Sequence, residues 1–192
     1  MQELINLGYK IKSITIDGKR GLYKAFQRNF LAKAKTAFAS FEDYPVQMCH
    51  FHQKKIIQRY ITKYPKLEAS QELKKIVSTL TRTSDIKFTI KLDNWYDKYK
   101  DFLNEKSINE DTEKETFTHA RLVAAYKSLR THLPHLFIYK KYKKFNIPNT
   151  TNCLDGGVFS PMKMLIKIHR GLSKSLKLKI VDNYFVSYKK NK

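Results

Sequence analysis

Residues 13–18, SITIDG, form the stretch around which this fold is organised. Ile14 and Ile16 alternate with polar neighbours, a pattern typical of a short β-strand, and Asp17-Gly18 follows as a turn. The strand therefore delivers the Asp17 carboxylate to the edge of a sheet. An Asp-Gly pair alone is ordinary turn chemistry, so a metal-binding role for Asp17 needs support from other parts of the chain.

A second short strand is predicted over residues 45–49, PVQMC, with proline at its first position, where no backbone donor is needed. Between the two strands the apolar spacing is helical over residues 22–30. Two strands joined through a helix lie parallel, so we expect this pair to be parallel. A further helix follows the second strand and should end at Tyr64-Pro65.

The rest of the chain reads as helical. Residues 66–144 contain no convincing strand, and the polar residues 104–116 are predicted to be an exposed loop before a helix over 117–133. Ser160-Pro161 has the form of a helix start and Gly171 that of a helix stop. The predicted buried face of that last helix consists of Met164, Leu165 and Ile168.

Composition points to a polyanionic partner. The 192 residues include 38 Lys and Arg against 17 Asp and Glu, a net charge of +21. Such an excess favours nucleic acid, and no apolar stretch reaches the roughly 18 residues of a spanning helix, so we expect no membrane. Without a secretion signal, Cys49 and Cys153 indicate a reducing cytoplasm, with nucleoid association if the protein is bacterial. From Met162 onward, many cations accompany the single acid Asp182.

Three motifs occur in a definite order. "ITIDGKRGLYKAF" contains Asp17, "YPVQMCHFHQKKIIQRYITKYPK" contains Cys49 and His52 at a C-x-x-H spacing, and "TTNCLDGGVFSPMKMLIKIHRGLSK" contains Asp155 and His169. In this order, with helices between the second and third motifs, the chain resembles the DDE transposases of the Mutator-like elements and their bacterial insertion-sequence relatives.

The resemblance implies roles for these residues. Asp17 corresponds to the family's second catalytic acid, and Asp155 stands where the family has a third acid, normally glutamate. Cys49, His52 and His169 correspond to motif residues near the metal ligands. In such enzymes two Mg²⁺ or Mn²⁺ ions, about 3.5 to 4 Å apart, act in in-line attack on a phosphodiester. Carboxylate oxygens are the ligands that Mg²⁺ prefers.

The resemblance also implies a fold. We expect an α/β, mostly helical chain: an incomplete ribonuclease-H-like domain interrupted by an all-helical insertion. Residues 1–65 would be the central part of the catalytic core, 66–148 the insertion, and 149–192 the C-terminal part of the core with a basic tail. The family's first acid has no counterpart on a strand before Asp17. We therefore expect a transposase fragment that is inactive alone and whose two-metal site is completed by a missing first acid.

The expected partner is double-stranded DNA, at element ends and at the target, with a homo-oligomer or a complementing N-terminal fragment as a further possibility. Lys19, Lys163 and Lys167 are candidates to hold phosphates, and simple solvation is their alternative. Trp95 is a candidate to stack near the transposon end. Its helical spacing with Tyr99 and Phe102 equally indicates a place in the core.

Other interpretations stay open from the sequence. Cys49 and His52 could bind zinc with Cys153 or His169, although two ligands at one spacing fall short of a four-ligand site. The chain could be a non-catalytic, basic DNA-binding remnant or regulator of a transposon. It could also be an unrelated nuclease with its own set of acids.

Overall fold

The computed structural model describes residues 6, 8, 10–18, 45–108 and 113–190. Helix predominates in these ranges and the strands form two small sheets, so the predicted α/β, mostly helical class is confirmed. No helix among the described residues has the length and apolar character needed to cross a membrane. The chain divides into two compact units, Met1–Thr150 and Thr151–Lys192.

The first unit contains two strand pairs and five helices within the described residues. Its elements in chain order are β1 Ile14–Ile16, β2 Val46–Met48, α1 His50–Ile61, α2 Glu68–Ser78, α3 Asp85–Asn104, β3 Lys106–Ile108, β4 Glu115–Phe117, α4 Ala120–Leu136 and α5 Ile138–Lys141. Short 3-10 turns occupy Thr79–Thr81 and Lys143–Phe145.

Strands β1 and β2 pair in parallel, as predicted, with Ile14 opposite Val46 and Ile16 opposite Met48. All three residues of β2 are buried, so helices cover both of its faces, whereas β1 is only partly covered. The connection between the strands, with the helix predicted over residues 22–30 and with Lys19, lies outside the described residues.

One hydrophobic cluster joins the strands to the helices. Ile16, Val46 and Met48 share it with residues of α1 to α4, among them Phe88 and Leu129. Helix α4 packs against α1, α3 and β2. The strands and the predicted insertion therefore form one folded core, in which each supplies the apolar surface that buries the other.

Trp95 belongs to this core. Its side chain is 3% exposed, its indole N–H donates to the Ala69 carbonyl at 2.9 Å, and its ring lies beside Tyr99 and Tyr126. No face of the ring is open to a nucleic-acid base. The prediction that Trp95 stacks on DNA is therefore wrong for this fold, and the core position that its spacing also allowed is correct.

The prediction of an all-helical block over residues 66–148 is wrong in one place. Strands β3 and β4 form an antiparallel hairpin in which Lys106 faces Phe117 and Ile108 faces Glu115. All six residues are exposed, and Lys106 pairs with Glu115 at 2.6 Å. Three residues per strand are too few for an alternating pattern to stand out from a polar loop.

The second unit consists of helices. Residues 152–168 form one continuous helix made of α6 Asn152–Leu154, a π-helical turn Asp155–Phe159 and α7 Ser160–Ile168. This helix ends at Ile168 with His169 as its C-cap, the predicted stop Gly171 lies in the turn beyond it with φ of 88°, and α8 Lys174–Lys190 follows. Helices α7 and α8 contact each other.

Two predictions for this unit are corrected. The helix does not start at Ser160, because Asn152 already begins it and the helix continues through Ser160. Met164 and Ile168 are not a buried face, since they are 58% and 63% exposed. Two packed helices enclose little volume, so the described side chains of this unit all keep some contact with solvent.

Candidate metal and nucleic-acid site

The first component of the candidate site is the edge of the sheet where β1 and β2 end. The Cys49 N–H donates to the Ile16 carbonyl at 2.8 Å, which continues the parallel ladder one residue beyond β2. Asp17 directly follows Ile16, so Asp17 and Cys49 leave the two strands at the same edge. Ligand sites of parallel sheets form at this carboxyl edge.

Gly18 fixes the turn that carries Asp17. Its φ is 83°, a left-handed conformation that side chains disfavour. A Cβ atom built on Gly18 would lie 2.5 Å from Cε of Met48 and 3.3 Å from Cδ1 of Ile56. The turn is therefore closed against β2 and α1, and the positive φ favours glycine at position 18.

The C-x-x-H motif is brought together at the same edge. Nδ1 of His52 lies 3.2 Å from Sγ of Cys49, and Sγ lies 3.7 Å from Oγ1 of Thr150. Cys49 is fully buried at the start of α1, whereas His52 is partly exposed. A buried thiol in contact with an imidazole orients that ring, which is how partners behind a metal ligand act.

Sequence reasoning gave no role to His50, which the structure places at the centre of a buried polar network. Its Nε2 lies 2.5 Å from the Leu136 carbonyl, and the Gln47 amide donates to the same carbonyl at 2.9 Å. Gln47 also accepts from the Tyr139 N–H at 2.9 Å. The sequence signal was a glutamine inside an otherwise apolar strand, because a buried amide needs partners.

Burial determines the charge of His50. Desolvation lowers the pKa of its imidazole below the usual value, and the nearby ammonium groups of Lys54 and Lys140 lower it further. The ring is therefore neutral at physiological pH and donates through Nε2 to the Leu136 carbonyl. The network joins β2 and the start of α1 to the end of α4.

The second component is Asp155, which begins the π-helical turn of the second unit. Pro161 has no N–H, so the carbonyl of Gly157 loses its α-helical donor, and a wider turn accommodates the proline ring. The Tyr184 hydroxyl on α8 donates to the Val158 carbonyl at 2.8 Å, which satisfies another acceptor of this turn. Single π turns inside α-helices are frequent at functional sites.

The cations predicted to hold DNA follow Asp155 on the same continuous helix. Lys163 and Lys167 are both exposed on α7, one turn apart. His169 follows the end of α7 and is exposed. The side chains are therefore accessible to a phosphate backbone, whereas Lys19 lies outside the described residues.

The candidate residues include the kind of ligand atom that Mg²⁺ prefers. Asp17 and Asp155 offer carboxylate oxygens, while Cys49 and His52 offer sulfur and nitrogen, which suit softer metals. Across the described ranges, no group of three or more His, Cys, Asp or Glu residues is arranged to hold a metal ion. Asp17 and Asp155 belong to different units, so their convergence stays a prediction.

Comparison with known proteins adds no relative: no protein-family model, curated protein or solved structure matches this chain.

Proposed function

We propose that this chain contributes the second and third acids of a DDE transposase, Asp17 and Asp155, to metal-dependent cleavage and joining of DNA. The observation that carries the proposal is the parallel pairing of β1 and β2, which puts Asp17 and the Cys49–His52 pair at one sheet edge. This is the arrangement that the order of the sequence motifs implies for a ribonuclease-H-like core.

In this proposal Asp17 and Asp155 hold Mg²⁺ or Mn²⁺ together with a first acid. The bound ions would activate the attacking oxygen and stabilise the leaving oxygen. The Cys49 thiol orients His52 beside Asp17, and Lys163 and Lys167 hold DNA phosphates near Asp155. Since the two acids supply only part of the ligand set, this proposal needs the first acid from a complementing fragment.

Metal binding tests the proposal without requiring activity. In calorimetric titration of the full chain with Mn²⁺, Asp17→Asn and Asp155→Asn should each weaken binding by more than about tenfold. Loss of a residue that only supports a metal ligand typically costs at least about tenfold in affinity, so loss of a ligand should cost more. Asp97→Asn, at an exposed aspartate of α3, removes the same charge and should leave the affinity unchanged. Wild-type affinity in Asp17→Asn would contradict the proposal.

A second candidate function, a basic DNA-binding protein without metal chemistry, is favoured by the exposed cations of the second unit. Lys163, Lys167, Arg170 and Lys174 lie on or between α7 and α8, and all are exposed. This alternative predicts duplex binding that is equal in wild type and in Asp17→Asn, with no Mn²⁺ site that depends on either acid.

A further inference from the structure

A pocket of about 450 Å³ lies in the first unit, away from the sheet edge. It is formed by the end of α1, the loop over residues 62–67, and the segment that leads from β4 into α4. Its volume falls in the range of small-molecule sites. Neither the metal-site proposal nor the sequence motifs assign it a role.

The charged lining of this pocket is cationic. Lys66, His119 and Arg121 line it, and none of the described residues that line it is Asp or Glu; Nε2 of His119 lies 3.0 Å from a carboxylate oxygen of Glu105. One nitrogen of the Arg121 guanidinium donates to the Arg59 carbonyl at 2.6 Å. That bond fixes the group in place and uses one of its five N–H donors, so an anion can be met by the others.

An aromatic ring stands at the pocket in an exposed position. Tyr64 is 77% exposed, although tyrosine normally buries its ring, and the Nζ atoms of Lys63 and Lys74 lie 5.2 and 5.8 Å from its centroid. Lys74 also donates to the Lys63 carbonyl at 2.7 Å, which ties the loop to α2. Both ammonium groups lie over the ring, and an exposed aromatic ring with cations next to it suits a neutral base that is joined to a phosphate.

The pocket wall contains strained backbone. Thr62 ends α1 with φ of 70° and ψ of 173°, a region that is essentially reserved for glycine. This conformation ends α1 at Ile61 rather than at the predicted Tyr64-Pro65, and it turns the loop that carries Tyr64 away from the helix. Residues with such backbone strain are found preferentially at binding and switch sites.

We propose that this pocket binds a nucleoside phosphate unit. The base stacks on Tyr64, and the phosphate is held by Arg121 and Lys66, which line the same pocket. Hydroxyl groups of Tyr60, Thr62 and Thr118 line the same pocket and supply donors and acceptors for the sugar and base edges. Two sources offer this chemistry: a free nucleotide, or an unpaired nucleotide of a single strand. The inference rests on the proposed function in one respect: it takes nucleic acid as the polymer that supplies the unpaired nucleotide.

Fluorescence anisotropy with a labelled single-stranded oligo-dA tests the site in the full chain. Tyr64→Ala should weaken binding by about tenfold, the effect expected for one lost base–aromatic stack. Tyr64→Phe keeps the ring and should bind as wild type does. Lys66→Ala, in the pocket, should weaken binding more than Lys91→Ala, which removes an equal charge from an exposed site on α3 outside the pocket.

Competition with unlabelled dAMP separates the two sources. Displacement of the labelled strand by dAMP, absent in Tyr64→Ala, assigns the pocket to a free nucleotide. Tyr64-dependent strand binding without displacement assigns it to an unpaired nucleotide. The proposal is overturned if Tyr64→Ala binds both ligands like wild type, or if Lys91→Ala matches Lys66→Ala. The strand titrations contain no divalent cation and the Mn²⁺ titrations contain no strand, so failure of the metal site and failure of this pocket give different results.

Discussion

Replacing Gln47 by alanine is expected to lower the free energy of unfolding by about 3 kcal/mol, since buried amide partners and side-chain volume are lost together. The Gln47 side chain is fully buried and bridges three backbone groups: the carbonyls of Met48 and Leu136 and the N–H of Tyr139. The Leu136 carbonyl keeps His50 as a donor, whereas the Tyr139 N–H loses its Gln47 acceptor.

A pair of matched variants separates the causes of that loss. Gln47→Met keeps most of the volume and removes the hydrogen bonds, so it should retain a loss of about 2 kcal/mol. Gln58→Ala changes an exposed glutamine of α1 and should stay within about 0.5 kcal/mol of wild type. Urea unfolding followed by circular dichroism measures all three. Equal stability of Gln47→Ala and Gln58→Ala would show that the buried network does not hold β2 to α4.

Duplex DNA binding should depend steeply on salt and on the cations of α7. If Lys163 and Lys167 each hold one phosphate, the double variant Lys163→Gln, Lys167→Gln should make the dependence on salt less steep. The magnitude of the slope of log association constant against log salt concentration should fall by about 1.8. The same relation, referred to 1 M salt, predicts a loss of about sixtyfold in affinity near 0.1 M salt. Anisotropy titrations of a labelled duplex at several salt concentrations measure both quantities.

Helix α3 offers a control with the same geometry. Lys87 and Lys91 are exposed and four residues apart, as Lys163 and Lys167 are on α7. The double variant Lys87→Gln, Lys91→Gln has the same net charge as the α7 variant and should bind duplex DNA nearly as wild type does. Equal losses in the two double variants would mean that total charge, and not the α7 lysines, determines affinity.

The parallel strand pair was predictable because its signals are local. Pro45, the β-branched residues and the helical spacing between the strands together leave parallel pairing as the simple solution. The Asp17-Gly18 turn was equally legible, and the structure adds that Met48 and Ile56 close over Gly18. Such features depend on a few neighbouring residues, so sequence patterns report them well.

Features that depend on distant partners were not predictable. The roles of Gln47 and His50 depend on the Leu136 carbonyl, more than 80 residues away in the chain. The start of the helix over residues 152–168 was misplaced because Ser160-Pro161 has the sequence of a capped helix start. A π turn lets the helix continue through the proline. Met164 and Ile168 are exposed because the second unit encloses little volume. The spacing of apolar residues in the sequence does not reveal that volume.

The shared metal site of Asp17 and Asp155 can be tested by a distance-sensitive measurement. Cys153 is exposed and Cys49 is buried, so a thiol-reactive nitroxide label attaches selectively at Cys153, two residues before Asp155. Bound Mn²⁺ near Asp155 would broaden the nitroxide signal in electron paramagnetic resonance. The account predicts broadening in the labelled chain and in Asp97→Asn, and its loss in Asp17→Asn. Mn²⁺ binding without broadening, or equal broadening in Asp17→Asn, would contradict a site shared by the two acids.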